Sequence, residues 1–103
     1  MAAVSTPRTV EAEKIILRDS HGRARLTLGT PEFAGATVDM KPDNPVVWLT
    51  DEKGIDRAVL TIDGLFFSDS QRKPTADFRN SPKSGMSTLR FYAPDGKISW
   101  SAP

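Results

Sequence analysis

Asp19, Ser20 and His21 stand side by side in LRDSHGRARL (residues 17–26): an acid, a hydroxyl and the chain's one imidazole. Those residue types are the parts of a nucleophilic triad, in which an acid orients the imidazole and the imidazole activates the hydroxyl. Triad members, however, are brought together from separate parts of a fold, and adjacent residues on a tight turn project in different directions. The second resource for chemistry is a group of carboxylates, Asp51, Glu52 and Asp56, set among Lys53 and Arg57. It lacks the D-x-D-x-D-G spacing of a calcium loop and reads as a solvated hairpin tip, so no metal ligand is assigned. PKSG (residues 82–85) has neither the leading glycine nor the following helix of a phosphate-cradling loop. No catalytic residue and no cofactor are expected.

The elements that must carry these residues are strands. Eight prolines and seven glycines interrupt a chain of 103 residues, leaving no convincing three-turn helix after residue 20. TVEAEK (residues 9–14) is the best helical candidate and reads equally as a lead-in strand. Elsewhere apolar residues alternate with period two between turn residues, the pattern of an all-β chain.

Four segments align when Asp19, Asp51, Asp69 and Ala93 are superposed, with spacings of 32, 18 and 24 residues. Three positions on stand Gly22, Gly54, Arg72 and Gly96. Two before the anchor are Leu17, Leu49, Phe67 and Phe91, and four before it Ile15, Val47, Leu65 and Leu89. Side chains two apart share a strand face, so these rows are expected to form one buried face. The second arms continue it with Leu26, Ala58, Ala76 and Trp100, then Leu28, Leu60, Phe78 and Ala102. The expected architecture is four irregular β-hairpin repeats arranged as a meander, a sandwich or a prism-like structure. Residues 1–10 are expected to be a flexible N-terminal segment and 11–103 a single domain. An extra strand is expected near GATVDM (residues 35–40), and a surface loop over residues 79–87.

In DSHG, DEKG and APDG the residue types suit a type I turn followed by a left-handed position. Asp19 and Asp51 accept local backbone N–H bonds, Pro94 presets the turn ahead of Asp95, and Gly22, Gly54 and Gly96 tolerate positive φ. Arg72 breaks this rule, so the third hairpin is expected to turn differently. Asp63-Gly64 is the strongest short hairpin signal. Asp19, Ser20 and His21 therefore read as a hairpin corner.

Ile16, Trp48, Phe66 and Arg90, three before each anchor, lie on the opposite face, and three of the four are large and apolar. Contiguous apolar surface of that kind marks interfaces. Ile16, Trp48 and Phe66 are the expected interface anchors of a structural or protein-interaction module whose partner is itself, with a trimer as the preferred assembly, or another protein. The alternative is a carbohydrate- or small-ligand-binding module that stacks its ligand on Trp48, Tyr92 or Trp100. A net charge of +1 supplies no drive toward nucleic acid or an anionic membrane. The chain has no cysteine, and MAAVSTPRTV does not read as a secretory signal. A cytoplasmic location is the default expectation.

The best matches to the pattern L-x-L-x-D-x-x-G-[KR]-x-R are Leu17 to Leu28 and Leu49 to Leu60, with Arg25 and Arg57 at the second basic position. It resembles the tandem β-hairpin repeats of uncharacterised bacterial proteins, over about residues 11–102. Thr75 and Ser99 replace the arginine in the third and fourth units. The resemblance implies a β-hairpin fold and carries no activity with it.

Overall fold

A computed structural model describes residues 8–30 and 44–102. The strand expected at residues 35–40 lies outside these, as does most of the expected N-terminal segment. Eight antiparallel strands form one open sheet in sequential order: β1 (Lys14–Arg18), β2 (Ala24–Gly29), β3 (Val46–Thr50), β4 (Asp56–Thr61), β5 (Gly64–Ser68), β6 (Pro74–Asn80), β7 (Ser87–Tyr92) and β8 (Ile98–Ala102). No helix occurs among the described residues; Lys14 of TVEAEK opens β1. The arrangement is the meander of the three expected forms, and the described residues form no second sheet.

One bonding scheme closes the hairpins β1–β2, β3–β4, β5–β6 and β7–β8. The residue at the glycine position donates its N–H to the anchor carbonyl: Gly22 to Asp19 (3.0 Å), Gly54 to Asp51, Arg72 to Asp69 (3.1 Å) and Gly96 to Ala93. The anchor N–H in turn donates to the residue after the turn, as from Asp19 to Arg23 at 2.9 Å. Three anchors add a carboxylate that accepts two backbone N–H groups. Asp19 Oδ1 takes those of His21 and Arg23, Asp51 Oδ1 those of Lys53 and Ile55, and Asp69 Oδ1 those of Gln71 and Lys73.

The third hairpin thus turns like the others, contrary to the sequence expectation. Arg72 adopts φ 63°, the left-handed conformation that glycine fills elsewhere, because Asp69 supplies the same pair of bonds. An L-residue there is disfavoured by about 1 kcal/mol. Arg72→Gly should therefore raise the thermal midpoint, or leave it unchanged where the added freedom of the unfolded chain offsets the relief. A clear fall on a melting curve would contradict this account.

The Asp63-Gly64 turn also differs from its sequence reading. Thr61 pairs with Gly64, so Ile62 and Asp63 occupy the two central positions, and neither has positive φ. Gly64 is required instead by crowding. A Cβ there would collide with the carbonyl oxygen of Phe78 on β6 and lie 3.2 Å from the Cα of Arg79.

Each hairpin carries a register shift one strand position before its anchor, leaving Arg25, Arg57, Thr75 and Ser99 as the extra residues of the second arms. This explains the second basic position of the motif. Arg25 Nε donates to the Thr50 carbonyl at 2.8 Å and Arg57 Nε to the Ser68 carbonyl at 2.7 Å. Their guanidinium groups also meet Asp19 and Asp51 at 3.4 and 3.6 Å. Each arginine ties its own turn to the first strand of the next hairpin. Ser99 instead donates to Phe91 within its own hairpin.

The covered face is not where the sequence pattern placed it. The register aligns Ile15, Leu28, Val47, Leu60, Leu65, Phe78, Leu89 and Ala102 across the sheet, and beside them Leu17, Leu26, Leu49, Ala58, Phe67, Ala76, Phe91 and Trp100. All sixteen positions are apolar. Yet Leu17 is 61% exposed, Phe78 and Trp100 50%, and Leu60 48%. Among the described residues no second layer lies over them, and Val46 and Ala58 are the only buried apolar residues described. The radius of gyration, 17.0 Å, exceeds the ~13 Å of a compact chain of this length. The described residues form one sheet without a second layer.

Candidate functional site on the trough face

The face opposite this apolar strip curves into an open trough of about 1150 Å³ running from β1 to β7. The row along this face is Ile16, Thr27, Trp48, Val59, Phe66, Asp77, Arg90 and Ser101, in pairing order, and all but Ser101 line the trough. The row is largely apolar through β5 and polar from β6 onward, which divides the trough into an apolar half and a charged half. The three interface residues expected from sequence, Ile16, Trp48 and Phe66, lie in that apolar half on alternate strands.

Asp77 is the feature that sequence reasoning left without a role. It is 3% exposed and accepts a hydrogen bond from Tyr92 Oη at 2.6 Å. Arg79 Nη2 donates to the same Oδ2 at 3.3 Å. Asp77 Oδ1 and Arg79 Nε also face each other at 3.3 Å, yet neither atom has an aligned hydrogen-bond partner. The guanidinium lies 5.2 Å from the centre of the Phe66 ring, close enough for a cation–π attraction. Burial works against the charge on Arg79, but the bond and charge of Asp77 outweigh it and hold the pKa above the usual arginine value. The signal in the sequence was a carboxylate at a strand position between the apolar residues Ala76 and Phe78, with a tyrosine on β7 within reach.

The aromatic residues of the ligand-binding alternative do not form one platform. Trp48 and Tyr92 both line the trough. Trp100 is on the other face, with its ring 5.4 Å from that of Phe91 and tilted by 31°. It belongs to the row of Leu17 and Phe91, so the period-two pattern excludes it from a site with Trp48.

The Asp19–Ser20–His21 corner lies at a hairpin tip. Ser20 Oγ and His21 Nδ1 are 3.4 Å apart and exposed, while Asp19 is committed to backbone N–H groups and to Arg23 Nε at 2.8 Å. Partial burial pushes its pKa up, but the N–H and guanidinium of Arg23, the N–H of His21 and the Arg23 charge together outweigh this and hold it at about 2. Asp51 and Asp69 are lowered too, first by the N–H groups of Ile55 and Lys73 respectively. A depressed folded pKa gives stability that is complete above the unfolded value and is lost as protons bind the folded carboxylate. For Asp19 the loss falls between 3.8 and about 2. The thermal midpoint should drop across that window, and Asp19→Asn should remove part of the drop. A pH profile identical in the variant would contradict the assignment.

Among the described residues no group of three His, Cys, Asp or Glu is placed to hold a metal ion. Asp56 of the tip cluster accepts a bond from the Thr50 hydroxyl at 2.8 Å, and Asp51 faces Arg57.

Fold and site together define an antiparallel β-meander, one layer deep among the described residues, with a two-row apolar strip on its outer face and an amphipathic trough. No protein-family model, curated protein or solved structure matches the chain.

Proposed function

We propose that this chain is a non-catalytic structural module that completes its core by associating with further copies of itself, its four hairpins being variants of one unit. The observation that carries the reading is the outer face: sixteen aligned positions with no polar side chain among them. Nine of its residues are between 37% and 61% exposed. At roughly 150–250 Å² for a large side chain, they leave on the order of 800 Å² uncovered, the share that one partner brings to a standard interface. With no charge among those positions, a second copy of the same face meets no electrostatic repulsion.

Sedimentation at micromolar concentration should give a mass above that of the 11.3 kDa chain. Leu60→Glu, placed centrally on the outer face, should lower that mass or unfold the chain. A native protein that sediments as a well-folded monomer, with no rise in dye binding to exposed apolar surface, would overturn the proposal.

The second reading is a ligand module, favoured by Trp48 and Tyr92 lining one trough. Tryptophan fluorescence titrated against a sugar panel separates the two readings, since a structural module gives a flat response.

A further inference from the structure

Among the described residues β1 and β8 each have one edge without a strand partner, and the two edges are complementary. Three joints connect successive hairpins: β2–β3, β4–β5 and β6–β7. In an antiparallel pair, residues alternate between exchanging two backbone bonds and exchanging none, and a residue's N–H and C=O point to the same neighbouring strand. The turn bonds fix this phase. Asp19, Asp51, Asp69 and Ala93 bond across their own hairpins. Leu17, Leu49, Phe67 and Phe91, two residues earlier, must do the same. The trough-row residues between them therefore bond across the joints, in the pairs Thr27–Trp48, Val59–Phe66 and Asp77–Arg90.

At the edges the same phase turns the backbone groups of Ile16 on β1 and Ser101 on β8 outward. They are the two unmatched ends of the trough row. The strand number is even, so β8 runs opposite to β1, and a second copy placed head to tail preserves the antiparallel order. The apolar strip would also become continuous. Leu17, its most exposed member, would come beside Trp100, half exposed at the far end. Neither edge carries strong protection against such pairing. Ile98–Ala102 contains no charge and no proline, and all five residues of β1 are exposed, with charges only at its two ends.

We infer that β8 of one copy pairs with β1 of the next, Ser101 opposite Ile16, forming a fourth joint of the kind that links the hairpins within the chain. The inference rests on the self-association proposed above and specifies a contact distinct from the outer face. Such a head-to-tail contact is heterologous, using different surfaces on the two copies.

The test uses the absence of native cysteine. In a bonded antiparallel pair the Cα atoms are ~5.5 Å apart, within the ~4.4–6.8 Å that a disulfide spans. Both positions avoid the outer face. Under mild oxidation, Ile16→Cys/Ser101→Cys should give covalent dimers and longer chains on a non-reducing gel, while each single variant stays monomeric on the same gel. Ser101→Pro removes an outward donor and no backbone bond within the sheet, at an edge position where proline is tolerated. It should retain the far-ultraviolet β spectrum and weaken association at least tenfold. Absence of cross-linking in a double variant that still sediments as an oligomer would overturn the inference and leave the outer-face reading standing. Equal cross-linking by a single variant would overturn it in favour of edges paired with themselves. A monomeric native chain would overturn both.

Discussion

Gly64→Ala is expected to cost about 3 kcal/mol, the upper part of the range for forcing atoms into a filled site. The added methyl would meet backbone on β6: the Phe78 carbonyl oxygen and, at 3.2 and 3.3 Å, Arg79 Cα and Phe78 C. Unlike a flexible side chain, these atoms cannot swing aside without parting β5 from β6. The N–H of Asn80 also donates to the Asp63 carbonyl at 2.8 Å, which ties the same corner to β6. Gly29→Ala is the control, because a Cβ there meets nothing closer than 3.4 Å. Urea unfolding of the two variants should give a large fall in midpoint for residue 64 and a small one for residue 29. Equal falls would show that the cost is one of glycine in strands generally.

Asp77→Ala is expected to cost about 2 kcal/mol, the penalty for stranding buried hydrogen-bonding groups. The full cost of breaking a buried ion pair is larger, but 43% of the Arg79 side chain is exposed and water can meet part of its charge. The Tyr92 hydroxyl, 2.6 Å from the carboxylate, loses its acceptor. Combining Asp77→Ala with Tyr92→Phe should cost less than the sum of the two single variants, because the phenylalanine leaves no stranded hydroxyl. Strict additivity in denaturant unfolding would show that the bond contributes nothing to the fold.

Period-two alternation and the D-x-x-G corners located the strands because both follow from local chemistry: side chains alternate across a strand, and a carboxylate captures the N–H groups just beyond it. The same locality explains Arg72. Its side chain argued against a left-handed turn, but the two bonds accepted by Asp69 outweigh that preference. The choice of the better-covered face was not legible. Leu49 and Trp48 are both large and apolar, and alternation separates two faces without saying which way the sheet curves. Asp77 has its partner Tyr92 15 residues away, brought to it only by the β6–β7 pairing. Trp100 was grouped with Trp48 by residue type, although its row already assigned it to the opposite face.

Strict sequential order has a consequence for how the sheet opens. Every strand touches only its neighbours in the chain. Unfolding can therefore proceed by peeling from either end, much as a row of stacked repeats loses its terminal members first. Amide hydrogens should exchange in a gradient, fastest on β1 and β8 and slowest on β4 and β5, where the two-residue turn closes the shortest loop. Contacts so near in sequence demand little loop-closure entropy, so a β-protein of this shape should refold faster than sandwiches of equal length. A sheet whose two edge strands fray first gains most, kinetically, from whatever clamps those edges.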